Sequence, residues 1–399
     1  MSDREEVRTL VQKKFWLNDM EAVLGIVAVL IILGTINVFS SSFIISENNY
    51  NTPYYFLRHH FVNLSIAIVC GVVGWRIDYH RWRNIMPVVI GVTLFSLIAV
   101  LLFGVAVNGS KRWLNLYITQ VQPAEWAKLV SILLASAYLS SAIKKGESIR
   151  LMPLQIWVIA LMAGLVELEP DMGTACFIAG VPIIMFALSG LSRQKLYGLI
   201  GVAGAALAGL CTLQPYRLER LRVMLDPWAD AQNIGYQVVQ SMSAIGSGGF
   251  WGMGLGMGIS KYDYLPEAHT DFAFAVLCQE NGFLGALLVF LRFAALAFYA
   301  GRIANSAKDI FGQMLALGIM LLLVGQAAVN ILMVGGIGPV VGVPLPFISY
   351  GGTSLFVSIA SIGILMNIGE QAIKARREGT RTTPPPEKPA APRLYLVKK

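Results

Sequence analysis

The stretch Lys261–Ala300, "KYDYLPEAHTDFAFAVLCQENGFLGALLVFLRFAALAFYA", passes from a polar run straight into a long apolar one. About 20 apolar residues in a helix cross the roughly 30 Å hydrocarbon core of a bilayer, so residues 271–300 are predicted to span a membrane. At the mouth of that span stand Asp263, Glu267, His269 and Asp271. Carboxylates at the start of a span are unfavourable unless they face protein, water or substrate. The rest of the chain is read as the support of this segment.

By the same length criterion there are about ten spans: 22–45, 57–75, 85–104, 124–142, 152–168, 173–190, 196–213, 271–300, 309–333 and 352–373. The runs are continuous rather than alternating, which excludes a membrane β-barrel. The expected fold is an all-α polytopic membrane protein of about ten transmembrane helices. A large extracytoplasmic loop, about 214–270, lies between the seventh and eighth. Residues 1–378 form one transmembrane domain. The Pro-rich segment 379–399, "GTRTTPPPEKPAAPRLYLVKK", is a disordered cytoplasmic tail, equally readable as a floppy end or a docking peptide.

Composition agrees with this reading. The 399 residues are 56% apolar and 14% charged, with mean hydropathy +0.63, where soluble domains carry about 25% charge. The net charge of +8 follows from membrane orientation and needs no nucleic-acid partner. Arg4, Arg8, Lys13 and Lys14 precede the first span, and Arg76, Arg81 and Arg83 follow the second. Lys144, Lys145 and Arg150 follow the fourth, Arg193 and Lys195 the sixth, Arg302 and Lys308 the eighth, and Lys374, Arg376 and Arg377 the tenth. The opposite loops hold only Arg58, Lys111, Arg112, Arg217, Arg220, Arg222 and Lys261, so both termini are expected in the cytoplasm. Cys70, Cys176, Cys211 and Cys278 lie in or beside apolar runs without a CxxC spacing and read as small buried hydrophobes. The charged N-terminus lacks a cleavage signature and is not a removable signal peptide.

The unusual polar residues gather on the outer side. In "QPAEWAKL" Pro123 suits a first helical turn. Glu125 and Lys128, three apart, share a face as a membrane-embedded pair that either fixes packing or meets a substrate. Asp171, between Pro170 and Gly173 in "ELEPDMGT", reads as a turn or helix cap slightly ahead of a site residue. Arg217, Arg220 and Arg222 read equally as residues snorkelling to lipid phosphates or as a clamp for an anionic substrate. The glycine-rich Val238–Gly258 lacks a phosphate-loop pattern and reads as a short amphipathic helix and loop in the outer interface, with close backbone packing. The broken backbone of "GGIGPVVGVPLPFISYGGTS", Gly335–Ser354, belongs where it lines a cavity or is buried in protein. Asp271 opposite these cations has the makings of an acid–base group acting on a phosphate-bearing substrate.

Taken in order, "GSKRWL", "QPAEWAKL", "EPDMGT", "YRLERL", "DPWAD", "GYQVVQSMSAIGSGGF", "YLPEAHTDFAFA" and "PLPFISYGGTS" resemble the SEDS (shape, elongation, division and sporulation) family. "YLPEAHTDF" and "DPWAD" are more similar to its division-type (FtsW) and sporulation-type branches than to the elongation type (RodA). The resemblance covers the chain to about Arg377. It implies a peptidoglycan glycosyltransferase of the bacterial cytoplasmic membrane that polymerises lipid II into glycan strands at the outer face during cell division. It implies a class B penicillin-binding protein and divisome proteins as partners. Carried over by position, Asp271 matches the essential acid, and Glu125 and Lys128 the charged pair of the central cavity. Arg112 and Arg217 match basic positions lining it, and Asp263 an acidic one. Arg220, Glu267 and His269 complete the expected substrate-binding set. Ala124 and "CQENGF" depart from the family pattern without touching these groups. Asp271 is the expected general base for the acceptor hydroxyl, while Arg and Lys, optionally with Mg2+ or Mn2+, neutralise the leaving pyrophosphate. The competing readings are a lipid II flippase and a non-catalytic division scaffold. A flippase would carry polar residues through to the cytoplasmic side, which the sequence does not.

Overall fold

The computed structural model describes residues 18–107, 110–115, 120–147, 149, 153–213, 215–233, 235–262 and 264–382, without the side chains of 207, 211, 213, 215–217, 221 and 377–382. The expected disordered tail is met first by helix, which runs to Thr382; residues 383–399 and the N-terminal 1–17 lie outside the described residues.

Helices dominate. In chain order they are α1 (Asp19–Tyr50), α2 (Tyr55–Arg76), α3 (Tyr79–Asn84), α4 (Met86–Phe103), α5 (Pro123–Lys144), α6 (Leu154–Leu168) and α7 (Met172–Leu188). Then follow α8 (Arg193–Leu213), α9 (Pro215–Leu225), α10 (Tyr236–Gly248), α11 (Ala273–Ser306), α12 (Ile310–Val334) and α13 (Gly352–Thr382). Seven of these, α1, α2, α4, α5, α11, α12 and α13, are long and apolar enough to cross a membrane. At 1.5 Å per residue, α6 and α7 reach only about 22–26 Å, less than a full hydrocarbon core.

The all-α expectation needs one correction. Residues 105–121 hold a small antiparallel sheet, β1 (Val105–Val107), β2 (Ser110–Asn115) and β3 (Gln120–Val121), in the order β1-β2-β3. The sequence there is too short and polar for a span, and pairing satisfies its backbone groups outside any helix. The cysteine reading is corrected too. Cys278 is buried, but Cys176 is exposed on the helix surface and Cys70 only half-buried; an apolar run in a membrane protein need not face protein.

Two helices form the centre. In α13, 94% of the apolar window is buried by protein, and in α5 78%, against 22% in α2, α4 and α11. Close approach makes this enclosure possible: a Cβ on Gly363 of α13 would stand 2.0 Å from the carbonyl oxygen of Gly71 on α2. Only glycine lets the two backbones meet so closely. Helix ends follow local chemistry, with Pro123 in the first turn of α5 and Asp309 capping α12 by accepting from Gly312 N–H at 2.9 Å.

The loop between α10 and α11 is built around a break. Gly282 has φ 64 and ψ −164 inside α11, which frees the carbonyls of Gln279 and Glu280 from the helical ladder. The backbone N–H groups of Met253 and Gly254 donate to them at 3.0 Å each, and Phe283 N–H donates to Gly249 O at 2.9 Å. The glycine-rich 249–258 stretch thus closes the gap, with its backbone packed against α11. Beneath it, Lys261 Nζ meets Glu280 Oε1 at 2.9 Å, and Ser40 Oγ of α1 donates to the same carboxylate at 2.6 Å.

Candidate functional site

A hollow of about 690 Å³ opens where α5, α7 and α13 begin and where the turn ahead of α11 ends. Its lining includes Arg112, Glu125, Asp171, Arg220, Glu267 and Asp271, with Pro339–Gly342, Tyr350 and Ser354 forming one wall.

Asp271 sits in the turn that enters α11. Glu267, in a left-handed conformation at φ 55, reverses the chain there, and its carbonyl accepts from Thr270 N–H at 3.2 Å and Phe272 N–H at 3.1 Å. The Glu267 carboxylate accepts from Thr270 Oγ1 at 2.6 Å. The Asp271 carboxyl points to Gly342, where an added Cβ would lie 3.4 Å from Oδ2. Burial, then the like charges of Glu267 and Asp171, raise its pKa to about 7, while Arg112 and Arg220 pull the other way.

The cations come from separate elements. The β1–β2 pairing carries Arg112 over the α6–α7 connection, where Nε donates to Glu169 O at 3.2 Å and an Nη donates to Pro170 O. Arg220 of α9 donates from Nη1 to Val340 O at 2.7 Å. Below the hollow's floor, Lys128 Nζ lies 2.8 Å from Glu125 Oε1 and donates to Gln326 Oε1 at 3.0 Å. Lys128 is 1% exposed and Glu125 4%, so this is an enclosed ion pair rather than a surface one.

Several expectations land together, and others do not. Asp271, Glu267, Glu125, Arg112 and Arg220 line one hollow, with Lys128 paired beneath it. His269 is a correction: it does not line the hollow. Its ring packs against Phe56 and Tyr350 at centroid distances of 4.8 and 5.8 Å, and burial lowers its pKa. Asp263 lies outside the described residues, as does the side chain of Arg217. Arg222 is exposed.

Asp171 turns out to do two things. Oδ1 caps α7 by accepting from Thr174 N–H at 3.1 Å, and Oδ2 takes the Gln122 amide at 2.9 Å at the edge of the hollow. Three further groups escaped the sequence reading. Glu169 is 1% exposed, with neither carboxylate oxygen hydrogen-bonded among the described residues. Burial and Asp171 raise its pKa to about 8 against the pull of Arg112. Gln326 and Asn330 are buried in α12, and their signal was visible as two carboxamides four apart in an otherwise apolar span. Among the described residues, no three His, Cys, Asp or Glu side chains converge as ligands of a metal ion would.

Fold and hollow together define a multi-pass membrane protein with a charged cavity at one end of its helices. The chain belongs to the family that joins FtsW, RodA and SpoVE, described as "Cell cycle protein", whose profile matches residues 20–374. It is 38% identical over 367 residues to a Trichlorobacter lovleyi protein named "Probable peptidoglycan glycosyltransferase FtsW", covering 90% of this chain and 95% of that one. It is 35% identical over 348 residues to "Stage V sporulation protein E" of Bacillus subtilis, covering 86% and 94%. A solved structure described as "Structural coordination of polymerization and crosslinking by a peptidoglycan synthase complex" superposes with TM-score 0.71 at 26% identity, over 88% of this chain and 97% of that one. The rod shape determining protein RodA of Thermus thermophilus, at 23% identity, shares the fold with TM-score 0.62 over 88% and 96%.

Proposed function

We propose that the chain is a peptidoglycan glycosyltransferase that polymerises lipid II at the outer face of the bacterial cytoplasmic membrane, with Asp271 as general base. The observation that carries this reading is the shared hollow, in which a desolvated carboxyl near neutral pKa faces two guanidinium groups. Such a carboxyl is poised to take the proton of an acceptor hydroxyl at physiological pH. The guanidiniums match the charge that builds on a departing pyrophosphate. A pyrophosphate leaves without a general acid, so one positioned carboxylate serves where glycosidases use two. The names of the relatives point the same way.

In this reading residues 1–378 act as one membrane unit of ten spans with both termini in the cytoplasm. The 214–270 segment lies outside, and the chain works in division beside divisome proteins and a class B penicillin-binding protein. The partner is supported by the solved relative described as a peptidoglycan synthase complex.

The test is polymerisation of purified lipid II in detergent or liposomes by wild type, Asp271→Ala and Asp271→Asn. Both variants are expected to insert and fold but to make no polymer. Undiminished polymer from both would refute the assignment and favour a flippase or scaffold.

A further inference from the structure

From Met314 to Val334, α12 is apolar except for Gln326 and Asn330. They are 3% and 0% exposed, and a spacing of four puts them on one face of the helix. Their hydrogen bonds do not serve a neighbouring span alone. Gln326 Oε1 accepts from Lys128 Nζ at 3.0 Å, while its Nε2 donates to Pro344 O at 3.0 Å and to Ser354 Oγ at 3.4 Å. Asn330 Nδ2 donates to Val343 O at 2.7 Å and to Asp271 O at 2.8 Å.

The geometry points to Gln326 and Asn330 as positioning residues of the reaction: one helix face straps the Asp271 turn, the 335–351 wall and Lys128 into a single arrangement. This rests on the reading of Asp271 as base. Two successive wall carbonyls, Val343 and Pro344, are held by the two amides in turn. The wall so stitched includes Gly342, at φ 65, against which the Asp271 carboxyl lies. Asn330 therefore holds the base by its main chain and also holds the wall segment against which its half-buried side chain lies. Without that amide, two carbonyls are left without a donor in dry surroundings. They turn toward water and carry the turn and the wall apart.

Substituting Asn330→Ala is expected to lower the kcat of lipid II polymerisation about tenfold or more with KM changed far less, because misplaced reacting groups act on the chemical step. Water reaching Asp271 lowers its pKa, so the acid limb of the pH profile moves to lower pH. The charged groups facing that carboxyl, Asp171 of the α7 cap, Arg112 of β2, Arg220 of α9 and Glu267 of its own turn, are unchanged in the variant. Arg220 is held by Val340 of the wall, so a moved limb reports displacement of the turn from the wall, and burial, the largest cause of the raised pKa, sets its direction. Asn330→Ser, keeping one donor, recovers part of the loss. Gln326→Glu keeps the acceptor for Lys128 but gives up the amide donors, and falls between wild type and Gln326→Leu.

Infrared titration of the Asp271 carboxyl, identified by its loss in Asp271→Asn, reads the same midpoint without turnover. A midpoint and kcat in Asn330→Ala that match wild type would overturn the proposal. So would lost activity with an unmoved midpoint, which marks a residue that only supports folding. A wild type that makes no polymer, with a midpoint that still moves in Asn330→Ala, removes the enzymatic reading and leaves the positioning one standing.

Discussion

A general base works only when ionised, which makes the pH dependence of polymerisation a direct reading of Asp271. With its pKa near 7, the carboxyl is half ionised at neutral pH, about a tenth ionised at pH 6 and about a hundredth at pH 5. The rate is therefore expected to fall about tenfold per pH unit below 7. An aspartate at its ordinary 3.8 would leave the rate flat over that range. The neighbours give the sign of each perturbation. Glu267 raises the pKa, so Glu267→Gln moves the acid limb to lower pH. Arg220 lowers it, so Arg220→Ala moves the limb to higher pH. The assay is polymer formation from lipid II between pH 5 and 9 at constant ionic strength, giving kcat/KM for the free enzyme and kcat for the complex. Bound pyrophosphate adds negative charge beside Asp271, so the limb of kcat should stand above that of kcat/KM. A rate flat to pH 5, or the two substitutions moving the limb the same way, would refute the reasoning.

Two structural predictions follow from buried geometry. Lys128→Met leaves the Glu125 carboxylate enclosed without its cation and should destabilise the protein by about 3–5 kcal/mol. Adding Glu125→Leu should restore most of it, and thermal unfolding in detergent at the wild-type temperature by the single variant would contradict this. Gly282→Ala places a Cβ 2.3 Å from Gly252 N at a positive φ. It should cost at least about 1–3 kcal/mol in backbone strain, read as a lower melting temperature and faster proteolysis within the 249–258 loop.

How far the sequence could be read depended on whether the governing interaction is local. Helix positions follow from apolar length, a property of contiguous residues, so 124–142 and 309–333 meet α5 and α12 within a few residues. The Glu125–Lys128 pair is legible for the same reason, because three residues on a helix are always neighbours. The break at Gly282 was not legible, because what it accommodates is Gly252, thirty residues earlier in the chain. His269 misled in the opposite way. It lies two residues from Asp271 in sequence, yet its ring packs against Phe56 and Tyr350 instead of joining the lining of the hollow. Asp171 shows that the choice between cap and site was a false one, since a carboxylate has two oxygens and each can serve a different partner. Gln326 and Asn330 carry the wider point. An amide inside an apolar helix marks that a partner exists without saying which. Here the partners are carbonyls at 271, 343 and 344, which only the closed bundle brings within reach. The charges of the hollow come from strand β2, the short helix α9, the turn ahead of α11 and helix ends, and the burial that tunes them comes from the bundle. Asp271 acquires its raised pKa only where these two contributions meet.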